Sequence, residues 1–107
     1  RVEHSSGMQA SLAGRYARAL FDLAQDGGSL AAVEASMARL GDALASSAEL
    51  KALVTSPVVS RADAARAIAG VSRELSLDAL TANFLGVLAK NRRLGKLGEV
   101  VRAFASM

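Results

Sequence analysis

Residues 12–24, LAGRYARALFDLA, restrict the fold more than any other part of the chain. Set at about 100° per residue, Ser11, Arg15, Arg18, Asp22 and Gln25 fall on one narrow polar stripe. The rest of the circumference is apolar. Leu12, Tyr16, Ala19 and Leu23 make one flank, Ala13, Ala17, Phe21 and Ala24 the other, and Leu20 lies between them. A surface helix needs one apolar face, and this segment has two. It is either the centre of a bundle, or it packs on its own domain with one flank and receives a partner with the other.

The remaining sequence supplies helices to pack against it. The chain has 107 residues, 51% of them hydrophobic, but no Trp, three Phe and one Tyr. Its apolar mass is therefore Ala, Leu and Val, which suits closely packed helices and is poor material for a β-sandwich. A first helix is expected over residues 9–25, ended by Asp26-Gly27-Gly28. Ser29 can cap a second, whose seam is Leu30, Val33, Met37, Leu40 and Leu44, with Glu34, Arg39 and Asp42 off that seam. Ser46 and Glu49 form an S-x-x-E capping box for a short third helix over residues 48–54, which Ser56-Pro57 ends. Ser60 opens a fourth, with Asp63 in its first turn and Ala64, Ala65, Ile68, Ala69 and Val71 on its packing face. That helix ends at Glu74 and Leu75, and Ser76 is the expected cap of the next.

The fifth helix, residues 77–91, again has two sides. Leu77, Thr81, Leu85, Leu88 and Ala89 form a core face, and Leu80, Asn83, Val87 and Asn91 a second, mixed one, with Phe84 between. A turn at residues 91–95 leads to a last helix over residues 96–105, with Leu97, Val100, Val101 and Phe104 on one side. The expected fold is all-α, a compact six-helix bundle with mostly antiparallel neighbours. Residues 8–107 are read as one domain, and residues 1–7, RVEHSSG, as an expression-tag remnant or disordered tail. The sequence stops at Met107 without a breaker, as a domain cut from a longer chain would.

Catalysis is not expected. There is no Cys, the only His is His4 in the presumed tail, and the carboxylates are scattered singly rather than at metal-ligand spacing. No glycine pattern suits a phosphate loop, so neither cofactor nor metal is expected. No apolar run is long enough to span a membrane, and the first residues lack a signal-peptide core. Net charge is +3, concentrated late in Lys90, Arg92, Arg93, Lys96 and Arg102 against Glu99 alone. A nucleic-acid-binding helical domain is the alternative reading, as is an unrelated helical adaptor. Scarce aromatics and interspersed acids count against the first of these.

Three stretches carry a family resemblance: R-Y-A-R-A-L-F within residues 12–24, L-x-x-L-x-x-S-P over residues 50–57, and FLGVLAKNRRLGKLGEVVRAF over residues 84–104. In this order and spacing they resemble the delta subunit of F-type ATP synthase, the oligomycin-sensitivity-conferring protein family, in its amino-terminal domain. The resemblance implies a groove between the first and fifth helices that takes the amphipathic amino-terminal helix of an alpha subunit. Its walls would be Leu12, Arg15, Tyr16 and Ala19 on one side and Leu80, Asn83, Phe84 and Val87 on the other, with Asn91 at the end. Arg15 would meet a carboxylate of the incoming helix. It further implies a non-catalytic stator connector, whose carboxy-terminal domain, absent from this sequence, contacts the peripheral-stalk b subunit. Such a protein is peripheral to the membrane without inserting. Its expected place is the cytoplasmic face of the bacterial inner membrane, or alternatively the mitochondrial matrix side.

Overall fold

Ser11 starts α1 (Leu12–Asp26): its backbone is extended and its hydroxyl accepts the Gly14 amide at 2.9 Å. The computed structural model describes residues 11–107, so the expected tail and residues 8–10 lie outside the described residues. α1 stops where Gly28 takes φ +73°, left-handed backbone that glycine adopts without steric penalty, and the Ser29 amide closes onto the Ala24 carbonyl at 2.8 Å. α2 (Leu30–Ser46) follows at once and buries Val33, Met37 and Leu40 from the expected seam, but Ser29 gives it no side-chain cap.

The capping box expected at Ser46 and Glu49 is displaced by one residue. Ser47 caps α3 (Ala48–Thr55), its hydroxyl accepting the Leu50 amide at 3.1 Å, while Ser46 stays in α2 and donates to the Asp42 carbonyl. Adjacent serines look alike in sequence, and the choice falls to the one that buries Leu50 and Val54. Ser60 caps α4 (Arg61–Glu74) as expected, accepting from the Asp63 amide at 3.1 Å.

Ser76 is not the cap of α5 (Ala79–Lys90). It takes φ +55° just past α4, and Asp78 caps α5 instead, its carboxylate accepting the Thr81 amide at 3.1 Å. The fifth helix therefore starts two residues later than expected, and Leu77 lies in the corner. α2 holds this corner from the side. The Arg39 guanidinium donates to the carbonyls of Leu75 and Ser76 at 2.8 and 2.9 Å, and the hydroxyl of Ser36, fully buried, accepts the Asp78 amide at 3.0 Å. Burial alone would raise the pKa of the Asp78 carboxyl. Hydrogen bonding to Thr81 and Ser36 outweighs that, and the carboxyl sits below its ordinary value.

After α5, Arg92 takes φ +57° and the Arg93 amide reaches back to the Leu88 carbonyl at 2.7 Å, a helix end that usually employs glycine. A short 3-10 turn (Leu94–Lys96) then leads into α6 (Leu97–Ala105). The described residues thus form six α-helices and no strand, as expected of an all-α bundle. α1 packs most extensively on α6 and α5 on α4, whereas α1 and α5 meet along a narrow seam. Leu20, Leu40, Ile68, Leu85, Leu88 and Leu97 are fully buried where the helices converge.

Candidate functional site: the outer flank of α1 and α5

The two flanks of α1 meet different fates. Ala13, Ala17, Leu20 and Ala24 are buried, and Phe21 lies against Phe104 of α6 with ring centroids 5.9 Å apart. The polar stripe faces solvent, where Arg18 pairs with Asp22 at 3.2 Å and lies over the Phe21 ring. The other flank stays open: Leu12 and Tyr16 are half-buried, and Ala19 and Leu23 are exposed. Leu23 is 58% exposed, although it belongs to an apolar stripe.

α5 repeats the pattern. Thr81, Leu85, Leu88 and Ala89 are buried in the bundle, Leu80 is half-buried, and Asn83, Val87 and Asn91 are exposed. Val87 is 47% exposed. Among the described residues three large aliphatic side chains are classed as exposed, and two of them, Leu23 and Val87, lie on these two helices.

The seam between the helices is narrow and specific. The Tyr16 ring meets Phe84 edge-on at 6.2 Å between centroids, an arrangement aromatic quadrupoles favour. The Asn91 amide donates to the Tyr16 hydroxyl at 3.3 Å. Tyr16, Phe84 and Asn91, expected from sequence to share a site, are thus brought together. Phe84 is only 9% exposed, so the ring that meets Tyr16 belongs largely to the interior.

Sequence reasoning left Leu23 out of the expected groove, although its spacing from Tyr16 and Ala19 already placed it on their stripe. It also left out Ser36 and Arg39, which fix the start of α5 and so set where its outer flank points. Arg39 reads as an ordinary solvated residue because its partners are more than 30 positions away. Among the described residues no group of three or more His, Cys, Asp or Glu is placed to hold a metal ion. No described helix is long and apolar enough to cross a membrane. The arrangement offers an apolar strip with Arg15, Asn83 and Asn91 exposed beside it.

Residues 12–107 match the family model described as ATP synthase delta (OSCP) subunit. Over 106 residues the chain is 52% identical to the protein named ATP synthase subunit delta in Rhizorhabdus wittichii, covering 99% of this chain and 58% of that one. The namesake in Erythrobacter litoralis is 53% identical over 106 residues with the same coverage, 99% and 58%. That of Zymomonas mobilis is 42% identical over 103 residues, 96% of this chain and 56% of its own length. The chain thus spans less than three fifths of these curated relatives.

Proposed function

This chain belongs to the ATP synthase delta (OSCP) subunit family, and on that premise we propose that it is the amino-terminal bundle of a non-catalytic stator connector. In this reading the outer flank of α1 and α5 receives the amphipathic amino-terminal helix of an alpha subunit at the catalytic head. A second, carboxy-terminal domain, matching the part of the relatives this chain does not span, joins the peripheral-stalk b subunit. The connector then keeps the head from turning with the rotor. The assembly is peripheral to the membrane, on the cytoplasmic face in a bacterial cell.

The observation that carries this reading is the open apolar flank: Leu23 and Val87 exposed beside a seam where Tyr16 meets Phe84 and Asn91. Helix-in-groove recognition takes its affinity from such apolar anchors and its register from polar edges. A docked helix burying on the order of 500 Å² of apolar surface gains roughly 12 kcal/mol before the costs of association. Ordering the helix and losing rigid-body freedom take back much of this, which leaves sub-micromolar binding within reach.

Titrating a peptide of the alpha amino-terminus tests the reading. Tyr16→Asp puts a charge on the seam and is expected to weaken docking by at least ~2 kcal/mol, about 30-fold. Val87→Asp, at an exposed position where folding is not at stake, is expected to weaken it in the same direction. Equal affinities for wild type and both variants would reject the groove.

A further inference from the structure

The basic cluster late in the sequence is not part of the α1–α5 flank. Of it, Arg92, in the turn from α5 to α6, lines a depression of about 260 Å³ shared with the α3–α4 loop, together with Leu53, Val54, Ala89, Leu94 and Arg61. A second depression of about 470 Å³ shares Val54 and Gly95 with the first, extends the apolar floor to Leu44 and Val101, and adds Lys51 and Arg102. The two adjoining depressions, hereafter the trough, share Val54 and Gly95 in their linings and hold two cations each: Arg61 and Arg92 in the first, Lys51 and Arg102 in the second.

The acids nearby are already engaged. Glu99, in the lining, pairs with Lys96 at 3.7 Å, and Asp63 pairs with Arg66. None of Lys51, Arg61, Arg92 and Arg102 has an acidic partner among the described residues. Beside the trough, in the α3–α4 loop, Val58 is 87% exposed, the most exposed large aliphatic side chain among the described residues. Arg92 itself sits at φ +57°, a helix-end position that favours glycine, and its side chain lines the depression from there.

We propose that this trough is a second docking site, separate from the α1–α5 flank, for an acidic amphipathic segment of a partner protein. Aliphatic side chains of that segment pack on the floor around Val54, and its carboxylates face Arg61, Arg92, Lys51 and Arg102. Charge complementarity around an apolar patch sets register and excludes wrong partners. A flat bilayer does not reach a recessed floor. Bases find nothing to stack on, since the chain's Tyr16, Phe21, Phe84 and Phe104 all lie outside the lining.

The test follows amide chemical shifts of the 107-residue chain during titration with a short synthetic peptide of Glu, Leu and Ala in an amphipathic helical pattern. Phosphatidylglycerol vesicles and a single-stranded oligonucleotide are run in parallel. Saturable binding is expected, with shifts centred on Val54, Arg92 and Gly95. The double variant Arg61→Gln/Arg92→Gly, whose glycine suits the local backbone, is expected to keep the melting temperature and to weaken peptide binding by at least about tenfold. Tyr16→Asp is expected to leave this binding unchanged, which separates the trough from the docking flank proposed above. Absence of saturation, shifts centred on α1 and α5, wild-type affinity in the double variant, or stronger binding by vesicles or oligonucleotide at the same amides would each overturn the proposal.

Discussion

At the corner between α4 and α5, polar side chains are joined to backbone: fully buried Ser36 to the Asp78 amide, half-buried Asp78 to the start of its own helix, and Arg39, at the surface, to two carbonyls. Along the outer flank of α1 and α5 the situation is reversed, with Leu23 and Val87 presenting apolar surface to solvent. Buried polar groups that find partners define where helices sit, because leaving them unpaired costs free energy. Apolar groups left outside do nothing for the bundle's own stability. The corner is thus architecture and the flank is exposed apolar surface, the part we propose for docking, and one helix, α5, belongs to both.

The contrast can be broken from the corner side most severely. Ser36→Ala adds no bulk but removes the acceptor of the Asp78 amide in a fully buried place. It is expected to cost about 2 kcal/mol and to lower the melting temperature by on the order of 10 °C in thermal denaturation. Loss of the Asp78 cap is smaller: Asp78→Ala is expected to cost ~1 kcal/mol. The same carboxyl gives the corner a pH signature. Its folded pKa lies below its ordinary value, so its contribution is complete above the unfolded pKa and is lost as pH falls through the folded one. Denaturant midpoints measured down an acid series are expected to fall less steeply for Asp78→Asn than for wild type.

The flank gives the smallest stability effect and sharpens the contrast by its near-absence. Leu23→Ser and Val87→Ser replace side chains that are already largely in water, and each is expected to stay within about 0.5 kcal/mol of wild type in chemical denaturation. A large destabilisation by either would mean that the flank belongs to the interior after all.

Periodicity made the helices legible, because stripes such as Val33, Met37 and Leu40 on α2 are a local property of the chain. It also exposed the surplus on α1, since a helix cannot hide two flanks in one interior. What it missed was settled by distant partners or by single-residue choices. Ser36 and Arg39 act on residues more than 30 positions away, which no local pattern encodes. Ser47 in place of Ser46, and Asp78 in place of Ser76, depend on which neighbour becomes buried once the helices meet. Phe84 sits at the border of two faces of α5, and only packing against Tyr16 decided that it turns inward.

The most direct measurement is to map where a peptide of the alpha amino-terminus lands on the isotope-labelled chain by amide chemical shifts. The account expects saturable changes along Tyr16, Ala19 and Leu23 and along Leu80, Asn83 and Val87, with the corner at Ser36 and Asp78 undisturbed. Changes centred on α2 and α3, with that flank silent, would contradict it.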